Sequence, residues 1–241
     1  IPRGQSPLTG TYVHYDYNAL VGILALEAER AGAVVIGEDL GTFEQWVQDV
    51  LAARGIMGTS ILWFERSPSV DGPRHQDEYR SLALSSVTTH DLPPTAGYLY
   101  GEHIALRDRL GLLIRDTETE NSEDLAWQNR ILARIGEYGL FDGTALDGHD
   151  FDGAARDERG DITDLLVAMH RYIAGTPSAL TCTSLVDMVG DIKAQNQPGT
   201  THDLYPNWCI PLCDATNTPI LIHDLPALPL FRAVAEASRR R

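Results

Sequence analysis

"VVIGEDLG" (residues 34–41) sets three small apolar residues before a glycine, two adjacent carboxylates, a leucine and a second glycine. The run 33–37, "AVVIG", is β-rich and too short for a helix, so it reads as a buried strand. Burying an unpaired carboxylate is expensive. A strand ending on two of them, Glu38 and Asp39, therefore predicts either a set of partners or a reaction site at its C-terminal end.

The flanking segments read as helices. "DYNALVGILALEAERAG" (16–32) puts Leu20, Ile23, Leu24 and Ala28 on one face, with Asp16 or Asn18 to cap the start and Gly32 to end it. "TFEQWVQDVLAARG" (42–55) opens with Thr42 and Gln45 at capping-box spacing and closes at Gly55. Further strands are expected at 58–64 and 82–89, and one begins at 178. Helices are expected at 93–113, 125–139 and 162–175, an acidic stretch at 116–124, a Gly/Asp-rich connection at 141–161 and extended chain at 219–222. No strand alternates cleanly with period two. Near-continuous apolar strands separated by helices indicate an α/β protein with a parallel sheet covered on both faces.

Composition narrows the function. The 241 residues are 43% hydrophobic and 22% charged, enough for one sizeable core. Nineteen basic residues face 34 acidic ones, a net charge of -15. Such a surface repels nucleic acid and anionic membranes, and favours a neutral or cationic ligand. No apolar run approaches the roughly 18 residues that suggest a membrane span. Cys182, Cys209 and Cys213 form neither an even framework nor a CxxC pair, which fits a reducing, cytoplasmic setting. No second Cys pair or HxxxH accompanies them, so neither metal nor cofactor is expected. The opening "IPRGQSPLTG" has no Met and no signal-peptide pattern, and reads as the start of a fragment.

In parallel α/β barrels the site is assembled at the C-terminal ends of the strands. Here those ends carry Glu38–Asp39, Glu65–Arg66, His90–Asp91, and Ser184 with Asp187. Each acid taken singly also fits a helix cap or an ion pair, and His90 fits a hydrogen-bonded core histidine. A few carboxylates, with neither a metal set nor a thiol nucleophile, suit glycosyl transfer, where one acid protonates the leaving oxygen and others stabilise an oxocarbenium-like centre. Tyr12, Trp63, Tyr98 and Trp208 are placed to stack on sugars or to fill the core.

Four ordered motifs, "VVIGEDLGT", "GTSILWFE", "SVTTHDLPPTAGYL" and "AQNQPGT…YPNW", resemble those of the 4-alpha-glucanotransferases (amylomaltases), of the alpha-amylase-like superfamily. The likeness runs over about residues 1–215. It implies the C-terminal part of a (β/α)8 TIM barrel with helical insertions, 1–241 being that portion and 114–177 a helical and loop insertion. It implies Glu38 as general acid/base, Asp91 as transition-state stabiliser and His90 as a sugar contact. It also implies Asn196, Pro198 and Gly199 in an acceptor-side loop, and more loosely 6–13 in a loop over the same cleft. The implied partners are malto-oligosaccharides, glucose, alpha-1,4-glucans and the N-terminal half of the same enzyme. The family's nucleophile is an Asp in an Arg-x-Asp-His motif that is missing from this sequence, and truncation is the expected reason. Two other readings stay open: a barrel metallohydrolase using His90, Asp91, Glu38 and His202, and a non-catalytic carbohydrate-binding protein.

Overall fold

Asp16 starts the first helix as its spacing predicts: its Oδ1 accepts the Ala19 N–H at 3.1 Å, at the head of α1 (Tyr17–Ala31). Gly32, in the left-handed region, ends it. The computed structural model describes residues 1–3, 5, 7–41 and 43–240. It divides into two units, Ile1–Thr59 and Ser60–Arg241.

In the first unit the expected apolar face of α1 forms, yet Leu20, Ile23 and Leu24 are all exposed. A second helix, α2, spans Gln45–Ala52. The capping box expected from Thr42 falls outside the described residues. The strand expected at 33–37 contracts to one parallel bridge, Ile36 to Met57. The Gly37 N–H donates to Met57 O at 2.7 Å, and the Met57 N–H to Val35 O at 3.1 Å. Val34 is exposed, and among the described residues the one bridge from this segment is that to Met57.

Strand β1 (Gly58–Ile61) runs across the boundary between the units. It is followed by β2 (Ala83–Ser86) and β3 (Leu180–Cys182), in the order β1-β2-β3. Strands β2 and β3 pair in parallel from Leu84–Leu180 to Ser86–Cys182. Buried serines tie them together, with Ser85 Oγ 2.6 Å from Ser178 Oγ.

The remaining elements are α3 (Thr95–Leu99), α4 (Glu102–Arg109), α5 (Thr117–Gly136), α6 (Ile162–Ala174), α7 (Leu185–Val189) and α8 (Pro229–Ala237). The single helix expected at 93–113 is broken at Gly101, whose φ of 80° a side chain would disfavour. The acidic stretch 116–124 belongs to α5 rather than preceding it. Asp116 accepts the Thr119 N–H at 2.8 Å, and Glu118 and Glu120 lie in the first turn, where negative charge suits the helix dipole.

Ala96, Leu166 and Val234 form a buried cluster from α3, α6 and α8. The polar connection 141–161 is also fastened down. Phe141, Leu146 and Phe151 are buried, and Arg159 Nη1 donates to Gln128 Oε1 at 2.8 Å. Arg156 pairs with Asp124 at 2.7 Å and donates to Leu99 O at 2.9 Å, joining this loop to α5 and α3. The extended chain expected at 219–222 is one antiparallel bridge, Cys213 to Pro219, running into a 3-10 helix at Ile222–Ala227. No helix among the described residues is long and apolar enough to cross a membrane.

Candidate active site

Most of the acids at the strand ends hold the fold. Glu65 pairs with Arg74 at 2.9 Å, both largely shielded. Asp187 is fully buried: it accepts the Thr95 N–H at 2.6 Å and the Thr95 hydroxyl at 2.7 Å, and lies 3.2 Å from His170 Nε2. In the first unit the buried Asp39 accepts the Thr59 N–H at 2.7 Å, the Thr59 hydroxyl at 3.2 Å and the Gln48 amide at 2.8 Å, so it ties the residues after Gly37 to β1 and α2. The two adjacent carboxylates thus differ in their surroundings. Asp39 is consumed by hydrogen bonds, while Glu38 is exposed.

In the second unit, His90 and Asp91 follow β2 on a tight turn. The Asp91 N–H donates to Thr89 Oγ1 at 3.2 Å, and the Thr88 hydroxyl donates to Pro93 O at 3.2 Å. Four residues on, Thr95 is anchored to Asp187, which fixes the head of α3. The Asp91 side chain remains 43% exposed, with His90 Nε2 3.5 Å from its Oδ1. Asn196 donates its amide to the same oxygen at 2.6 Å.

Asn196 belongs to a loop closed on itself. The Trp208 N–H donates to Gln195 O at 2.8 Å, the Gln197 N–H to Asn207 Oδ1 at 2.8 Å, and the Asn207 amide to Thr200 Oγ1 at 2.9 Å. At the base, the buried Asp191 accepts the N–H groups of Lys193 at 3.0 Å and Cys213 at 3.2 Å. Burial pushes its carboxyl above the usual range, against those two bonds. Pro198 and Gly199 stand exposed on the loop. The Trp208 ring lies 5.7 Å from that of His90.

The structure therefore brings Asp91, His90, Asn196 and Trp208 together, with Pro198 and Gly199 on the same loop; Glu38 lies in the first unit. Of the aromatics open to either a sugar or a core role, Trp63 takes the core role, buried and stacked on Tyr98 at 4.4 Å, while Tyr12 and Trp208 are exposed. Thr89, Gln195 and Asn207 shape the site without having been singled out by residue type; Asn207 stands inside the "YPNW" motif. No group of three or more His, Cys, Asp or Glu among the described residues is placed to hold a metal ion. His202, expected in a metallohydrolase reading, instead sits 3.7 Å from the Cys209 sulfur.

Residues 1–216 match the profile of glycoside hydrolase family 77, described as 4-alpha-glucanotransferase. The chain belongs to this family. It is 46% identical over 242 aligned positions to a 4-alpha-glucanotransferase of Mycobacterium tuberculosis H37Rv, covering 99% of the chain and 32% of that relative. It is similar to the crystal structure of amylomaltase from Corynebacterium glutamicum, with a TM-score of 0.92 and 63% identity, over 100% of the chain and 34% of that structure. An amylomaltase from Streptococcus agalactiae in complex with acarbose, 16% identical, shares the fold with a TM-score of 0.54 over 96% of the chain and 37% of that structure. The chain thus spans about one third of the length of these family members. Its α/β fold is that of part of an alpha-amylase-like barrel enzyme, as the motifs lead one to expect.

Proposed function

We propose that the chain supplies part of the catalytic barrel of a 4-alpha-glucanotransferase, which moves alpha-1,4-glucan segments onto glucose or malto-oligosaccharide acceptors by a retaining double displacement. The observation that carries this reading is the Asp91 carboxylate, partly open to solvent yet fixed by Asn196 at 2.6 Å, in a chain of this family. A carboxylate held in one orientation is suited to stabilising positive charge that develops at a sugar's anomeric carbon.

Glu38 acts first as the acid that protonates the leaving oxygen, then as the base that takes the acceptor's proton. Its exposure, against the buried and fully bonded Asp39, supports giving it the mobile proton. His90 contacts the sugar beside Asp91, and the loop carrying Pro198 and Gly199 borders the acceptor. The nucleophilic Asp comes from the part of the enzyme that 1–241 does not span, which makes that part the chain's obligate partner. Residues 114–177, lying between α4 and β3 in the chain, form an insertion within this barrel. The three free cysteines support a cytoplasmic setting, and carbohydrate metabolism is the process served.

The test is incubation of the protein, at its natural length, with maltotriose. Glucose together with oligosaccharides longer than the substrate is the expected product pattern. Conversion to glucose and maltose alone, or no conversion, contradicts the reading.

A further inference from the structure

Trp208 is unusual twice over. Its φ is 62°, in the left-handed region that a bulky residue occupies at a cost, yet within this chain it is 62% exposed, so packing of its ring against this chain does not hold it there. The backbone around it supplies the constraint: its N–H is spent on Gln195 O, and the next residue's N–H donates to Pro206 O at 3.1 Å. Asn207, immediately before it, uses both ends of its amide to brace the loop through Gln197 and Thr200. The outcome of this strained turn is one large aromatic held beside His90, on the loop whose Asn196 orients Asp91.

We infer that Trp208 is a binding platform for one glucosyl ring, a neighbour of the ring that reacts at Asp91. Pyranose rings carry an apolar face of C–H groups, and an indole offers a flat, weakly negative face that attracts them. A neutral platform also suits a chain of net charge -15, which cannot recruit an uncharged sugar by charge. The inference rests on the preceding reading for the identity of the ligand as an alpha-1,4-glucan. A platform acts on bound sugar and not on reacting atoms, so its loss appears in KM and leaves kcat nearly unchanged.

Two measurements on the protein at its natural length decide the matter. In the first, tryptophan fluorescence is followed during titration with maltotetraose, for the wild type and for Trp208→Phe. A saturable change in the wild type that is lost in Trp208→Phe is expected. No change in the wild type, or an equal change in both proteins, overturns the inference. In the second, maltotriose disproportionation is measured for Trp208→Phe and Trp208→Ala. KM is expected to rise about three-fold and about ten-fold respectively, with kcat within about two-fold of wild type. A fall in kcat without a rise in KM makes Trp208 a support of the loop and overturns the platform. Binding that persists in a wild type without transfer activity sinks the transferase reading while leaving the platform standing, so the two failures are told apart.

Discussion

Asn196 donates its side-chain amide to Asp91 Oδ1 at 2.6 Å, across 105 positions of sequence. The contact shows a residue expected to bind substrate orienting the carboxylate beside it. It joins the loop of 195–208 to the turn after β2.

Removing that donor should cost activity more than stability. For Asn196→Ala, loss of a hydrogen bond to a charged acceptor corresponds to about 1.5–3 kcal/mol, or a drop of roughly 10- to 150-fold in kcat/KM for maltotriose. An Asn196→Ala enzyme with wild-type kcat/KM would show that the contact does nothing for the reaction.

Gly97, in α3, tests how the loop is positioned. A Cβ there would lie 2.1 Å from Ile192 O, a backbone atom that cannot swing away. Gly97→Ala should therefore destabilise by about 1–3 kcal/mol and displace the segment leading to Asn196. A thermal melt with an activity assay checks both; an unchanged melting temperature contradicts the packing described.

The buried Asp187 should matter more to folding than any exposed acid. Its loss strands the Thr95 N–H and His170 in the core, and Asp187→Ala should cost about 3–5 kcal/mol in denaturant unfolding. Asp224→Ala, removing an exposed acid 3.6 Å from His223, should stay within about 0.5 kcal/mol. Equal effects would refute the ranking.

Asp124 gives a pH dependence with a definite sign. Burial pushes its carboxyl up, but the His103 contact and the Arg156 pair outweigh burial and hold it below the ordinary value of 3.8. A carboxyl depressed in the folded state stabilises the fold above its unfolded pKa. That stability is lost as pH falls through the folded value. Stability should therefore decline below about pH 4, and Asp124→Asn should flatten that decline. Melting temperatures between roughly pH 2 and 6 would expose an error if the two proteins ran parallel.

Much of this architecture is legible in residue order, and the losses have physical causes. The helix at 16–32 carries its own cap and stop in Asp16 and Gly32, and the one at 162–175 is marked by strong periodicity, so both appear nearly as read. The strand at 33–37 is reduced to a single bridge to Met57, a pairing that local composition does not specify. The break at Gly101 looks like a tolerated helical glycine until its φ is known. At the strand ends, Glu65 and Asp187 match Glu38 and Asp91 in type and position. Only long-range partners, Arg74 for one, Thr95 and His170 for the other, separate structural acids from available ones. Trp208 and Trp63 likewise differ in what surrounds them and in backbone conformation, neither of which residue type reveals.

The central claim is that Glu38 moves the proton while Asp91 stabilises charge, and chemical rescue separates these roles. In the enzyme at its natural length, Glu38→Ala should nearly abolish transfer from maltotriose. An alpha-glucosyl fluoride, whose leaving group needs no proton, should lose less in the first step. Added azide should then restore turnover, since it attacks the glycosyl-enzyme without a base, and should give the alpha-glucosyl azide. Asp91→Asn should lose about 3–5 kcal/mol of transition-state stabilisation that neither the fluoride nor azide replaces. The decisive measurement is the paired rate of both variants on the fluoride, with and without azide. Rescue of Glu38→Ala alone is the predicted result; rescue of Asp91→Asn with Glu38→Ala left inactive would contradict the account.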